Sequence, residues 1–365
     1  MSGVVTVAVS AADAGQRLDR WFKQHYPGVT HGRLEKLLRT GQVRVAGGRA
    51  KANRRLEEGE EVRIPPLSAE DAGARPSRRA KADPKDAATL KTFVLYEDDA
   101  VLVLNKPFGL AVQGGAKTAK HIDGMLAALE TGGERPRLVH RLDRDTGGVL
   151  VLGKTRLAAA ALSKSFQTKA VDKLYWALCA GVPKVREGTV SLPIAKRMVR
   201  IGDGEGERMV AAEGEDAKSA VTDYRVVEAV RAASWLAMRP VTGRTHQLRV
   251  HAAAMGAPVV GDGKYGGPAA ELEGAPYKLH LFCRRMAFPH PTTGRPVEVV
   301  APLTGHMLET WRFFGFNPDA ETVLERPEAA RRPKRKTPSS RKSNGRRSPS
   351  NQKATRRPAG SKKRP

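Results

Sequence analysis

The first 64 residues have the hydrophobic spacing of a small α/β unit. Valines at every second position near the start, Val5, Val7 and Val9, predict a half-buried strand. Two short helices are predicted next, with apolar residues at i, i+3 and i+4: Leu18, Trp21 and Phe22 in the first, and Leu34, Leu37 and Leu38 in the second. The polar side of the second helix carries Arg33, Lys36 and Arg39, and a strand follows Gly41. That basic face is either a solvated surface or a site for a polyanion.

A longer domain is predicted after a linker. Residues 65–90 contain Pro65-Pro66 and few apolar positions, so we expect a linker there. In residues 91–325, strands are predicted at Phe93–Tyr96, Val101–Leu104, Val149–Leu152, Leu174–Ala180 and Val221–Val227, and helices at 156–168 and 245–255. Strands outnumber helices and do not alternate regularly with them. This favours an α+β domain over a doubly wound parallel sheet.

The charge of the chain is large and uneven. The net charge is +26, yet residues 331–365 contain 15 Lys or Arg and no acidic residue, so the remainder still carries +11. Residues 326–365 are low in complexity and have almost nothing to bury, and we expect them to be a disordered basic tail. A body that stays basic without its tail indicates a polyanionic partner, and nucleic acid is favoured because no basic amphipathic helix with a strong apolar face is found.

The location is predicted from what the sequence contains. Two cysteines, Cys179 and Cys283, fit a reducing compartment and provide no disulfide framework. The N-terminus is a poor signal peptide, and no apolar run approaches the roughly 18 residues that cross a bilayer. We therefore expect a cytoplasmic protein with no membrane partner.

The most informative segment is HRLDRDTGGVLVLGKT, residues 140–155. It places Asp143 between Arg141 and Arg144, ahead of a glycine turn and an apolar strand. Flanking cations would hold this carboxylate ionised, so that it acts as a nucleophile or a base. The alternative is a surface ion pair beside a turn. Because residues 17–20 repeat the tetrapeptide RLDR, these four letters alone decide nothing.

Three further segments have candidate chemistry. Lys106 stands in the Asn-Lys-Pro-Phe-Gly sequence 105–109, for which a structural turn is the default interpretation. Tyr175 begins a predicted strand, where it either fills the core or stacks on a base.

The third segment is TGRTHQLRVHAAAMG, residues 242–256, followed by GDGKYG at 261–266. A helix starting near Thr245 would present Arg244, His246 and Arg249 to an anion or to a carboxylate. His246 and His251 are five residues apart, which suits a metal poorly. The glycines match neither common phosphate-binding loop, so a nucleotide cofactor is not expected.

Taken together, five segments closely resemble the RluA-type family of RNA pseudouridine synthases, in the order that the family has them. They are FVLYEDDAVLVLNKPFGLAV (93–112), LVHRLDRDTGGVLVLGKT (138–155), KLYWALCAG (173–181), PVTGRTHQLRVHAAAMGAPVVGDGKYG (240–266) and KLHLFCRRMAFPHP (278–291). GRLEKLLRTGQVRV (32–45) is similar, less specifically, to the RNA-binding module shared with ribosomal protein S-four.

The resemblance implies a pseudouridine synthase fold with a mixed, largely antiparallel sheet, and an activity on uridines, most simply those of large-subunit ribosomal RNA. Asp143 would be the nucleophile, Tyr175 would stack on the flipped uracil and assist proton transfer, and Arg249 would pair with Asp143. Arg141 would fill the space that the nucleotide leaves. The expected RNA contacts are Arg141, His140, Arg244, His246, Lys106, Arg33, Lys36 and Arg39. The family needs no metal, nucleotide or redox cofactor, and a monomer is expected.

Two other functions stay open at this point. The first is a non-catalytic RNA-binding or ribosome-assembly factor on the same scaffold, against which the presence of Asp143, Tyr175 and Arg249 argues. The second is a hydrolase that uses Asp143 and Asp145 as paired carboxylates, although two residues apart on a turn these groups need not face one another.

Overall fold

The computed structural model describes residues 3–11, 13–67, 83–114, 118, 120–201, 204–322 and 324. The predicted basic tail, residues 326–365, lies outside these ranges, as do residues 68–82 of the predicted linker. Among the described residues, none of the helices has the length and apolar character that a membrane span requires.

The N-terminal unit has the elements that its hydrophobic spacing predicts. They are β1 (Val5–Ala8), α1 (Leu18–His25), α2 (His31–Arg39), β2 (Arg44–Val45), β3 (Gly48–Arg49) and β4 (Glu61–Ile64). The four strands form an antiparallel sheet in the order β1-β4-β2-β3. Helix α2 begins after Thr30, whose hydroxyl accepts a hydrogen bond from the Arg33 amide at 3.2 Å. The predicted leucines of α2 are buried and its three predicted basic side chains are exposed.

The predicted linker is wrong at both ends. Leu67 is buried in the core of the N-terminal unit. Residues Pro84–Lys91 form helix α3, which begins after Asp83, and its Leu90 is fully buried in the core of the main domain. Leu90 is the buried residue of this helix, and its other positions are small or polar, so its composition resembles that of a linker.

The main domain contains a ten-stranded sheet. Its strands are β5 (Val94–Glu97), β6 (Val101–Lys106), β7 (Arg137–Leu138), β8 (Gly147–Gly153), β9 (Asp172–Ala180), β10 (Glu187–Ser191), β13 (Val221–Val230), β14 (Ala233–Pro240), β15 (Leu281–Pro289) and β16 (Pro296–Val300). Strands β11 (Ile194–Ile201) and β12 (Gly204–Ala211) form a separate two-stranded antiparallel sheet. The main path runs β10-β13-β14-β9-β15-β8-β6-β5, and only β8 and β15 pair in parallel. The predicted α+β fold with a mixed, largely antiparallel sheet is therefore confirmed.

Helices cover this sheet. They are α4 (Ile122–Met125), α5 (Arg156–Gln167), α6 (Gln247–Ala254) and α7 (Gly305–Phe313), with 3₁₀ turns at Leu126–Leu129 and Gly267–Ala270. Helix α7 was not predicted, because a helix of only nine residues gives a short periodic signal. It is held by Trp311, whose ring is stacked on Trp176 at 6.1 Å and lies edge-on to Trp235 at 5.5 Å.

Gly148 allows β8 and β15 to approach closely. Its φ is +102°, and a Cβ there would overlap the backbone carbonyl of Cys283 on β15. The register pairs Gly148 with Lys106 on β6 and with Cys283, which in turn pairs with Tyr175 on β9. Glycine at this position therefore brings the loop before β8 alongside Tyr175.

Replacing Gly148 with alanine is expected to destabilise the main domain by about 2 kcal/mol or more, through backbone strain and overlap with Cys283. In thermal unfolding this corresponds to a Tm lower by roughly 4–8 °C. Gly188→Ala on β10 is the control, because its added Cβ would meet Tyr224 only at an ordinary 3.8 Å. Equal melting temperatures for the two variants would contradict this account of Gly148.

Candidate active site

A cleft of about 360 Å³ opens beside the loop that precedes β8. It is lined by residues 140–143 and Thr146 of that loop, Lys173 and Tyr175 of β9, residues 242–249 before and within α6, and the flanking residues Phe166, Pro240 and Leu281. The structure thus brings the three predicted catalytic residues, Asp143, Tyr175 and Arg249, to one site.

Asp143 is half-buried, and its carboxylate faces two groups near α6. Oδ2 lies 3.6 Å from Nε2 of His246 and 4.0 Å from Nη1 of Arg249. Its backbone carbonyl accepts a hydrogen bond from Thr146 at 3.1 Å, which closes the turn. The carboxylate is therefore positioned by its backbone, while its oxygens stay available to the cleft.

The arginines next to Asp143 do not pair with it, contrary to our expectation. Arg144 donates two hydrogen bonds to its neighbour Asp145, at 3.0 and 3.1 Å, on the exposed side of the loop. Arg141 is exposed and has no hydrogen bond or ion pair within the described part of the chain. Because Asp145 is engaged by Arg144, it does not form the carboxylate pair that a hydrolase would use.

The main ion-pair partner of Arg249 is Asp262, and Asp143 is a more distant second partner. Its Nε and Nη2 donate to the two oxygens of Asp262 at 2.7 and 2.6 Å. Burial works against the charge of Arg249, but the hydrogen bonds and charge of Asp262 outweigh burial and raise the arginine pKa. The predicted pair of Arg249 and Asp143 is thus present only as the longer of two contacts. The main partner of Arg249, Asp262, was not predicted from the sequence.

Lys106 is not an RNA contact, which corrects our prediction. Its side chain is fully buried. Nζ donates to the carbonyl oxygens of Pro107 at 2.8 Å, Leu110 at 2.7 Å and Arg144 at 2.9 Å. Burial lowers the pKa of Lys106 to about 7, against the opposing charges of Asp145 and Asp143. The three acceptors match the three donors of an ammonium group, so Lys106 joins the turn after β6 to the loop of Asp143.

His140 lines the cleft as an uncharged ring. Its Nε2 accepts a hydrogen bond from the Val151 amide at 2.9 Å, and the ring is stacked on Phe166 at 4.5 Å. Burial, assisted by the charge of Lys173, lowers the pKa of His140 to about 3. His140 therefore cannot bind a phosphate by charge. Its uncharged ring forms part of the surface of the cleft.

Tyr175 and Lys173 share one face of β9 and point to the cleft. Burial raises the pKa of Tyr175 well above its ordinary value, and Cys283 and Asp143 add to this, so the phenol stays protonated. Burial lowers the pKa of Lys173, which has no hydrogen-bond partner among the described residues. Sequence reasoning overlooked Lys173, although the two-residue period of a strand places it beside Tyr175.

The residues before α6 form a hydrogen-bonded turn. The helix begins at Gln247 instead of Thr245, after His246 with φ of +55°. Gln247 accepts from Thr242 Oγ1 at 2.6 Å and from the Arg244 amide at 3.1 Å. The Arg244 side chain donates to the Ser219 carbonyl at 3.1 Å and stays exposed at the rim of the cleft.

The remaining predicted RNA contacts, Arg33, Lys36 and Arg39, do not line this cleft. They lie on α2 of the N-terminal unit. In the described ranges, no group of three or more His, Cys, Asp or Glu side chains has the arrangement of a metal site.

Comparison with known proteins identifies the class. A family model described as RNA pseudouridylate synthase matches residues 100–254. Ribosomal large subunit pseudouridine synthase C of Salmonella typhimurium (strain LT2) and that of Escherichia coli (strain K12) are each 36% identical to this chain, over 82% of it and 93% of the relative. The chain belongs to the RNA pseudouridylate synthase family and is an isomerase that acts on RNA.

A solved structure agrees with this assignment. The human protein RNA Pseudouridylate Synthase Domain Containing 4 has a TM-score of 0.53 and 28% identity, over 64% of this chain and 96% of its own. The resemblance noted in the sequence is confirmed in family and in fold, whereas the roles of single residues rest on the geometry above.

Lys106→Met is expected to destabilise the main domain while leaving RNA affinity nearly unchanged. The methionine would leave three buried carbonyl oxygens without their donor, and the Tm should fall by roughly 5–10 °C. RNA binding below the melting temperature should stay within about threefold, because the side chain does not reach the surface.

The control for this experiment is Lys164→Met on the exposed side of α5, which should change neither quantity. A loss of RNA affinity in Lys106→Met at unchanged stability would restore Lys106 as an RNA contact.

Proposed function

We propose that this enzyme forms pseudouridine in large-subunit ribosomal RNA, in the cytoplasm and as a monomer, with Asp143 as its nucleophile. The observation that supports the nucleophile best is the half-buried carboxylate of Asp143, which faces two nitrogen donors and has no short ion pair of its own. The substrate is proposed from the two relatives, which are named for the large ribosomal subunit.

The reaction is an internal exchange of bonds. The bond between ribose C1′ and uracil N1 breaks, the ring turns, and a bond between C1′ and C5 forms. The proton leaves C5 and N1 gains one, so atoms and charge balance without a cofactor. A carboxylate within reach of both the ribose and the ring provides the temporary partner that such an exchange needs.

The groups that face Asp143 leave its carboxylate unoccupied. Nη1 of Arg249, which carries a positive charge, lies 4.0 Å from Oδ2, and Nε2 of the neutral His246 ring lies 3.6 Å from it. Neither group forms a short hydrogen bond to the carboxylate that would have to break before it reacts.

Tyr175 forms the wall on which the uracil is proposed to stack. Its ring borders the same cleft as Asp143, and its phenol, held protonated by burial, is a hydrogen-bond donor for the ring during proton transfer. A base must leave its stack to enter a cleft of this size.

Arg141 and Lys173 are proposed to contact the rest of the nucleotide. Arg141 is an exposed guanidinium at the rim, suited to fill the space left by the flipped base. Lys173 lies deeper in the cleft, where an unpaired ammonium is suited to a backbone phosphate. Arg244 and the basic face of α2 extend this contact to the surrounding RNA.

Asp143→Asn should abolish pseudouridine formation, by a factor of about 10³ or more, because an amide is not a nucleophile of comparable strength. The experiment maps pseudouridine in ribosomal RNA from cells that lack the gene and carry either the wild-type or the variant enzyme. Asp145→Asn is the matched control and should retain activity, since Asp145 contacts Arg144 on the exposed side of the loop.

The same map tests the proposed substrate and the proposed nucleophile. If no pseudouridine site disappears on deletion of the gene, the substrate proposal is wrong and a non-catalytic role regains support. If Asp143→Asn restores all the sites, the nucleophile is another group.

Deleting residues 326–365 should weaken RNA binding most strongly at low salt and leave turnover at saturating RNA unchanged. The deletion removes at least 15 positive charges, so log Kd should depend less steeply on log salt. Kd measured at several salt concentrations, beside turnover at saturating RNA, checks this. Loss of turnover at saturation would show that the tail acts in the reaction itself.

A further inference from the structure

Asp262 lies next to the cleft, and both oxygens of its carboxylate accept hydrogen bonds. Its side chain has no exposed surface. Besides the two hydrogen bonds from Arg249, its Oδ1 accepts from the backbone amides of Lys264 and Tyr265, each at 3.1 Å. Gly261 before it has φ of +73°, and a Cβ there would overlap the backbone of Lys278. The position of Asp262 is therefore fixed by both its backbone and its partners.

This arrangement fixes the direction of Arg249. A guanidinium is planar, so an acceptor pair on its Nε–Nη2 edge also sets where Nη1 points. Nη1 is the atom that faces Asp143, at 4.0 Å. Without Asp262, the same edge would be free to form a bidentate pair with Asp143 and would occupy the carboxylate that has to react.

Tyr265 connects the same turn to a second neighbour of Asp143. Its hydroxyl lies 2.6 Å from Nδ1 of His246, and its ring lies under the Arg249 guanidinium at 4.9 Å. Nε2 of His246 faces Asp143 at 3.6 Å. A carboxylate accepts a hydrogen, so the compatible tautomer carries its proton on Nε2 and accepts the Tyr265 hydroxyl proton at Nδ1.

The backbone of His246 and the groups around its ring fix its position. Its φ of +55° lies in the left-handed region, which a histidine keeps only where its surroundings hold it. The charged and titratable groups that face its ring are Asp143 from the loop before β8, Arg249 from α6, and Asp262, Lys264 and Tyr265 from the turn after α6. Burial lowers the pKa of His246 in spite of Asp143, which keeps the ring neutral at neutral pH.

We infer that Asp262 and Tyr265 are positioning residues: through Arg249 and His246 they direct two N–H donors at Asp143 without occupying its carboxylate. This inference rests on the proposal that Asp143 is the nucleophile. It assigns a purpose to the GDGKYG segment, which resembled no phosphate-binding loop.

Tyr265→Phe is the first test, because it removes one hydroxyl and keeps the ring under Arg249. Once Nδ1 loses its donor, the other tautomer becomes populated and turns a lone pair towards Asp143. That lone pair repels the carboxylate and no longer offers it an N–H, so the position of Asp143 for the reaction is lost while RNA binding is not affected. At neutral pH kcat should fall about tenfold with KM unchanged.

A double mutant separates positioning from a structural effect. In a His246→Ala background Tyr265→Phe should cause no further loss of kcat, since Tyr265 acts through that imidazole. Asp262→Asn should lower kcat further than Tyr265→Phe, because an amide cannot accept both Arg249 donors, while RNA affinity stays unchanged. Tyr277→Phe is the matched control, because in the described ranges its hydroxyl has one hydrogen bond, which it donates to the Gly267 carbonyl at 3.3 Å.

The outcomes distinguish this inference from the assignment of Asp143. If Asp143→Asn is inactive while Tyr265→Phe has the wild-type kcat, the inference is wrong and the nucleophile stands. An additive loss in the double mutant also overturns it. If Asp143→Asn is active, the nucleophile assignment fails, and the inference that depends on it fails too. Should Asp262→Asn not fold, the Tyr265→Phe series still decides the question.

Discussion

The site depends on how closely β8 lies against β15. One row of residues crosses the sheet through Lys106, Gly148, Cys283 and Tyr175, each paired with the next on the neighbouring strand. Gly148 is the position in this row with no room for a side chain. The strand therefore starts next to Cys283, and the loop before it carries Asp143 into the cleft that Tyr175 borders. A wider spacing of these strands would separate the carboxylate from the ring.

Charge in the site is arranged so that the most tightly hydrogen-bonded groups are distinct from the carboxylate that we propose as the nucleophile. Lys106 uses all three of its donors on backbone carbonyls, and Asp262 uses both of its oxygens on Arg249 and on backbone amides. Asp143 has only the longer contacts, at 3.6 and 4.0 Å. Buried charges with complete hydrogen bonding are rigid, because every alternative leaves a polar group without a partner. The fixed groups thus surround Asp143 without forming a short hydrogen bond to its carboxylate.

The sequence predicted the fold class and the convergence of three residues, but it did not predict the contacts between them. Period-3.6 spacing placed the leucines of α2 correctly, since burial of one helix face is a local property. The burial of Lys106 could not be predicted from its neighbours in the sequence, because it depends on a loop that is distant along the chain. Likewise Arg249 and Asp262 are 13 positions apart in the chain, joined by a turn whose path depends on Gly261. Such a pair follows from three-dimensional packing, which spacing alone does not encode.

The two RLDR tetrapeptides show what distinguishes an available aspartate from a paired one. In the first, Arg17 donates to both oxygens of Asp19, at 3.1 and 2.5 Å, and the hydrogen bond lowers the pKa of that carboxyl. In the second, Arg141 has no such contact and Asp143 faces the cleft. The difference arises because Asp19 opens a helix, whereas Asp143 lies in a turn closed by Thr146. The backbone around the motif, and not its four letters, decides whether the carboxylate is paired or available.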